Sequence, residues 1–246
     1  MTEHTVALTT SEKDEPRWPT IRPRHAATLI IIDRSGREPK VLMGRRHAGH
    51  RFMPGKFVFP GGRIETNDRF MAASNPLHPT VGEKLLARTV KPSLTRGRAL
   101  ALAAIRETFE ETGLLLGRRI DGERPSRVPE GPWSEFISHG IVPDLEPLRF
   151  VARAITPPGR PKRFDTRFFA VDANQIAHRV DGIITPDSEL TELVWVELDQ
   201  ALELELPSIT TVVLKELDKR TEAGFGHALP VPFYYARGGA FQREEL

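Results

Sequence analysis

Apolar residues fall in short blocks separated by polar and turn-forming stretches. The longest block, Ala26-Ala27-Thr28-Leu29-Ile30-Ile31-Ile32, is strand-sized and predicts a buried strand. Asp33-Arg34-Ser35-Gly36 stops it and Val41-Leu42-Met43 begins a second, so the pair reads as a hairpin. Lys56-Phe57-Val58-Phe59 is a third short strand, closed by Pro60-Gly61-Gly62. From Asn67 to Gly97 the pattern weakens to a helical patch around Glu83–Arg88. Arg98 to Thr112 is the clearest helix, with Leu100, Ala103, Ala104 and Phe109 clustered on it and Gly113 where a C-cap glycine belongs. Leu114–Leu116, Leu148–Ile155, Phe164–Val171 and Leu193–Val196 read as strands. Trp133–Ser138, Asp199–Leu206 and Ser208–Arg220 read as helices, and Trp133 and Trp195 as core residues. Interleaved strands and helices with hairpin spacings predict an α/β fold, a mixed sheet covered by helices. The expected organisation is a lead-in over 1–23, one domain over 24–223 and a C-terminal tail over 224–246.

Composition narrows the function. The 246 residues allow one large domain. Lys plus Arg number 35 against 33 Asp plus Glu, and a net charge of +2 is too small for a binder of nucleic acid driven by phosphate neutralisation. Cysteine is absent, which removes disulfides, thiolate metal sites and thiol nucleophiles. No apolar run reaches the ~18–20 residues that span a bilayer. Residues 1–23 hold four acidic residues and three prolines with no apolar stretch, unlike a signal peptide, so a cytoplasmic setting is expected.

Chemistry concentrates in Arg106-Glu107-Thr108-Phe109-Glu110-Glu111-Thr112-Gly113-Leu114. Glu107, Glu110 and Glu111 stand at i, i+3 and i+4, so three like charges share one helical face and repel. Taken alone, such a cluster is a solvated helix face. Two features argue for more. Phe59-Pro60-Gly61-Gly62 supplies a tight backbone turn upstream, and Gly113 ends the helix at once, leaving the acids at the end where the macrodipole favours cations. A hard divalent cation with oxygen ligands offsets both penalties.

The segment Gly62–Leu114 resembles a Nudix box: a glycine, five residues, Glu, seven residues, then Arg-Glu-aliphatic-x-Glu-Glu-x-Gly-aliphatic. Gly62, Arg106, Glu107, Glu110, Glu111, Gly113 and Leu114 match. Asp68 stands at the first glutamate, Thr108 at the aliphatic position, and 37 residues separate Asp68 from Arg106 where the pattern has seven. Loop closure entropy grows only logarithmically with length, so an excursion over 69–105 costs little if its ends meet. Upstream, Arg46, Arg51, Gly55 and Phe59-Pro60-Gly61-Gly62 fall in register with the motif of Nudix coenzyme A diphosphatases, while Met43, Gly44 and His47 depart from it. His50–Gly55 and Arg163–Phe169 resemble the peroxisomal-type branch, which also carries a long box insertion.

The resemblance implies a Nudix-type α/β/α sandwich and metal-dependent hydrolysis of a diphosphate by water, with Mg²⁺ or Mn²⁺ as cofactor. It implies Glu107 and Glu111 as ligands of a first metal. Glu110 would bind a second metal or accept the proton of the attacking water, and the carbonyl of Gly61 or Gly62 would add a ligand. Arg106 would orient the carboxylates. Arg46 and Arg51, with Gly62, would meet substrate phosphates, since a guanidinium offers paired donors. Glu189 is a further candidate for metal ligand or general base. The expected substrate is coenzyme A or its thioesters, cleaved to 3′,5′-ADP and 4′-phosphopantetheine. ADP-ribose, nucleoside-diphosphate sugars or dinucleotides are the alternative, and a catalytically silent ligand sensor a third reading. The expected partner is therefore a nucleoside-diphosphate-linked small molecule, with no nucleic acid and no membrane. A homodimer through Phe233-Tyr234-Tyr235 is left open, as is the insertion's role as lid, dimer contact or substrate-selecting wall.

Overall fold

The computed structural model describes residues 21–50 and 53–246. The buried apolar run becomes β1 (Arg24–Asp33), the spine of the molecule. Its alternating side chains serve two cores: Ala27, Leu29 and Ile31 enter one, Ile30 and Ile32 the other. Side chains on a strand point to opposite faces, so a run apolar at nearly every position needs a cover on both. On the first face lies α2 (Leu94–Thr112), which contributes Leu100 through Ile105 and Phe109. On the second lies α5 (Ser208–Glu222), which contributes Val213, Leu214 and Leu217. The result is an α/β/α sandwich.

The main sheet runs β11 (Leu190–Glu197), β2 (Lys40–Arg46), β1, β9 (Phe164–Asp172), β8 (Arg149–Ile155), β12 (Pro232–Arg237), β13 (Ala240–Glu245). It is mixed, with β1 parallel to β9 and β8 antiparallel to β9. One edge of β1 is shared: β2 pairs at Ile32 and Asp33, while β4 (Gly61–Arg63) pairs at Ala26 through Thr28. β2 leaves β1 to pair with β3 (Phe57–Val58) and with β11. That splay opens a cleft beside the double glycine.

α2 starts earlier than the apolar pattern indicates. Ser93 caps it, its Oγ accepting the Arg96 N–H at 3.3 Å. Gly113 ends it at φ +74°, with its N–H donating to Phe109 O at 2.8 Å. A Cβ there would also stand 2.2 Å from Val180 O. The insertion therefore comprises α1 (Pro79–Leu86) and the first turns of α2, and it packs on the sheet. Arg153 on β8 donates to the carbonyls of Ala87 and Arg88, and Lys84 reaches the carbonyls of Ala228 and Leu229. No residue of 69–105 lines the cleft.

Three expectations need correction. Residues 232–245 form a hairpin hydrogen-bonded to β8, so the C-terminal stretch extends the sheet where a tail was expected. The helix expected over 199–206 stops as α4 (Leu198–Ala201), because the Glu205 carbonyl accepts the Phe57 N–H at 2.9 Å and draws the chain out. Trp133 is fully buried, but Trp195 is 42% exposed, since β11 is the edge strand. The lead-in over 1–23 lies outside the described residues up to position 20.

Candidate active site

Arg106 organises the acidic helix from inside. It is 2% exposed, and all five of its N–H groups are engaged. Nε donates to Asp68 Oδ1 at 2.9 Å, and Nη2 to Asp68 Oδ2 at 3.3 Å and the Arg63 carbonyl at 2.9 Å. Nη1 faces Glu107 Oε1 at 3.0 Å and Glu110 Oε2 at 2.8 Å. Asp68 is fully buried and also accepts from Trp133 Nε1 at 3.0 Å and the Glu65 N–H at 2.7 Å. The ends of the insertion thus meet at a buried ion pair. Burial works to lower the pKa of Arg106, and its three carboxylate neighbours more than offset that.

The glutamates then diverge. Glu107 and Glu111 turn into the cleft with Gly61 and Gly62. Glu110 turns toward Arg106 and does not line the cleft, so the three acids do not act as one convergent set. The glycines make the close approach feasible. A Cβ on Gly62 would lie 2.4 Å from the Glu107 carboxyl, and one on Gly61 would lie 2.6 Å from the Ala27 carbonyl. The Gly61 N–H donates to Glu111 Oε2 at 3.1 Å.

Glu189 arrives from the far side, at the start of β11, and lines the same cleft. Arg46 Nη1 holds its Oε1 at 2.9 Å and also contacts His50 Nδ1 at 3.1 Å. Arg46 Nε is buried without a hydrogen-bond partner among the described residues. Arg51 lies outside the described residues. Sequence reasoning passed over Arg24, Arg63 and Lys162, which line this cleft or the hollows beside it, and over Thr166 and Phe168. The period-2 alternation of Phe164, Thr166 and Phe168 against Asp165 and Arg167 was the available signal.

Charge is concentrated here against its own preference. Burial pushes the Glu107 carboxyl up to about 7, with Arg106 opposing and Glu110 adding repulsion. Burial also raises Glu111 well above the usual carboxylate range, and Glu189 and Glu107 repel it further. Glu110 is raised by burial, with Arg106 opposing. Among the described residues no group of three or more His, Asp or Glu is arranged to hold a metal ion. The donor set nonetheless fits Mg²⁺ or Mn²⁺. Such ions are held by one or two carboxylates plus water and substrate phosphate rather than by an all-protein cage, and Glu107 with Glu111 is such a pair. The cleft, about 410 Å³, opens toward solvent above them. Among the described residues no helix is long and apolar enough to cross a membrane.

Comparisons with known proteins bear on the family and the fold. The crystal structure of a NUDIX hydrolase from Alicyclobacillus acidocaldarius is 31% identical, with a TM-score of 0.59 over 79% of this chain and 90% of that one. A protein named as a nudix hydrolase in Caenorhabditis elegans is 26% identical over 71% of this chain and 51% of its own length. An acyl-coenzyme A diphosphatase of Gallus gallus is 26% identical over 67% of this chain and 55% of its own length. The chain spans about half the length of these two curated relatives. No protein-family model matches it.

Proposed function

The chain belongs to the Nudix hydrolase family, and from that footing we propose that it cleaves the diphosphate bridge of coenzyme A or its thioesters. The products would be 3′,5′-ADP and a 4′-phosphopantetheine species. The observation that carries the reading is the pair of half-buried Glu107 and buried Glu111, mutually repelling and aimed past Gly61 and Gly62 into an open cleft. The likeness to an acyl-coenzyme A diphosphatase and the Arg46 to Gly62 motif support the substrate.

A divalent cation, when bound, neutralises phosphate oxygens and makes a coordinated water acidic. Glu107 and Glu111 would hold it, with the Gly61 carbonyl as a further oxygen. Arg106 keeps Glu107 in place and retains Glu110 as a third charge behind the pair. Glu189 is the proton acceptor in this scheme: Arg46 and His50 occupy the side of Oε1, leaving Oε2 for the attacking water. Arg46 Nε is a donor ready for a diphosphate oxygen, since a buried N–H without a partner gains most from one.

The test is incubation of purified protein with Mg²⁺ and coenzyme A in ¹⁸O-water, with products read by mass spectrometry. The reading expects 3′,5′-ADP and 4′-phosphopantetheine with one ¹⁸O between them, and a loss of about 10²–10⁴-fold in turnover for Glu189→Gln. Coenzyme A left whole while ADP-ribose or dinucleotides are cleaved refutes the substrate. Full activity in Glu111→Gln refutes the site.

A further inference from the structure

Beside the cleft lies a hollow of about 330 Å³ lined by Ile21, Arg24, Arg63, Pro161, Lys162, Arg163 and Phe164. Four of these residues are cationic and none is acidic. Several exposed arginines pair with acids: Arg34 with Asp172, Arg45 with Glu192, Arg88 with Glu244, Arg118 with Asp144. Arg24 and Arg63 have no such partner among the described residues. Arg163 is different, its guanidinium donating to the carbonyls of Thr156 and Ile21. On a protein with a net charge of only +2, two arginines without an acidic partner in one concavity, Arg24 and Arg63, mark a place for an anion.

The fold ties this hollow to the acidic pair. Arg63 follows Gly62 on β4 and lines both the hollow and the cleft, as do Lys162 and Phe164. In the sheet Arg63 pairs with Ala26, two residues from Arg24, so both side chains leave the same sheet face. A third concavity, about 730 Å³, joins Arg22, Arg24 and Arg63 to Glu107. A ligand with its diphosphate over Glu107 and Glu111 therefore meets Arg63 and Arg24 next along the sheet. One residue step is about 3.8 Å, and a guanidinium at the end of its stem spans the few bonds from a diphosphate to a phosphate on the adjoining ribose.

We propose that Arg24 and Arg63 form a subsite for a phosphomonoester carried by the substrate in addition to its diphosphate. Paired planar donors suit a dianionic phosphate. The proposal rests on the diphosphatase reading and sharpens it: the preferred substrate class is a 3′-phosphorylated adenosine diphosphate derivative, read by Arg24 and Arg63. That role is separate from the one proposed for Arg46, whose Nη1 holds Glu189 and whose Nε is left for the diphosphate.

Calorimetric titration of the full chain with 3′,5′-ADP and with 5′-AMP isolates the extra phosphate without requiring turnover. Wild type is expected to bind 3′,5′-ADP about ten- to a hundredfold more tightly. Arg24→Gln/Arg63→Gln is expected to bring the two affinities within about threefold, and Arg63→Lys in that background to restore part of the gap. Melting curves confirm that the variants fold. Equal affinities in wild type, or a preference that survives the double variant, overturn the subsite. The ratio of kcat/KM for coenzyme A over dephospho-coenzyme A, measured in parallel, separates the two claims. Hydrolysis of both substrates with no binding preference sinks the subsite alone. Arginine-dependent preference without hydrolysis of any diphosphate sinks the hydrolysis reading and leaves the subsite standing.

Discussion

In the absence of divalent cations the folded protein should lose stability as the pH rises from 4.5 to 8, through Glu107. Burial and the Glu110 charge outweigh the attraction of Arg106 and lift its carboxyl to about 7, from 4.5. Below about 4.5 the group is protonated in folded and unfolded chains alike; above about 7 it is ionised in both. Between them the folded chain keeps a proton that the unfolded chain has released, so the stabilisation present at low pH is lost as the pH climbs. At 1.36 kcal/mol per unit, the loss is on the order of 3 kcal/mol. At about 2–4 °C per kcal/mol for a domain of this size, that is roughly 6–12 °C in Tm.

Other groups titrate nearby with the opposite sign. Burial holds His25 and His227 below 6.5, so their contribution is present above 6.5 and lost as the pH falls through their folded values. The informative quantity is therefore the difference between wild type and Glu107→Gln, melted in EDTA at each pH. The two should melt together near pH 4.5, and the variant should melt roughly 6–12 °C higher at pH 8. Added Mg²⁺ should raise wild type far more at pH 8 than at pH 5, because the ion competes with the proton for the same oxygens. A wild-type-minus-variant difference that stays flat over this range refutes the argument. So does Mg²⁺ protection that is equal in both proteins.

Three further outcomes follow from contacts elsewhere. Gly62→Ala should fold and lose activity, because its Cβ displaces the Glu107 carboxyl, whereas Gly61→Ala should melt lower, because its Cβ meets the rigid Ala27 carbonyl; melting and turnover on both variants separate the two. Asp68→Asn should cost about 3–5 kcal/mol in urea unfolding by leaving Arg106 short of its buried counter-charge, and Trp133→Phe about 1–2 kcal/mol, since Asp68 keeps its other donors. Asp165→Asn should also cost about 3–5 kcal/mol, because among the described residues Asp165 alone neutralises Arg153 and Arg167, at 2.8 and 2.9 Å, deep under the insertion.

The parts of the fold legible in the sequence are those where one periodicity dominates. Ala26–Ile32 had to be a buried strand, and Leu100 through Phe109 a helix closed by Gly113, because each pattern buries apolar surface in only one conformation. β4 was invisible: Gly61-Gly62-Arg63 has no apolar content, and its strand conformation comes from pairing with β1. β13 was invisible for a similar reason, as its Gln242, Arg243 and Glu244 are held at the sheet edge by partners on β12. Glu189 could be suspected but not placed, because a register 144 residues away, Leu190 opposite Arg46, delivers it to the cleft. Arg24 and Arg63 read as ordinary surface residues, since charge in a sequence carries no record of whether a partner stands nearby.

The broken Nudix pattern shows what the spacing of that motif secures. Thirty-seven residues stand where seven are expected, yet Asp68 and Arg106 meet at 2.9 Å. The requirement is a buried counter-charge that fixes Arg106, and through it Glu107 and Glu110, rather than a particular loop length. An aspartate is one methylene shorter than the glutamate of the pattern. Here it sits on a 3₁₀ turn (Asn67–Arg69) against α2, where the Trp133 indole and the Glu65 N–H fill its remaining acceptor sites. Once that anchor holds, the intervening chain is free to build α1 and lengthen α2, and the extra surface is used against β8 and the C-terminal hairpin, where Arg153 holds the Arg88 carbonyl and Arg88 pairs with Glu244. The insertion therefore packs at one end of the sheet and leaves the cleft open, which is why the acidic pair can be reached by a substrate as large as the one proposed.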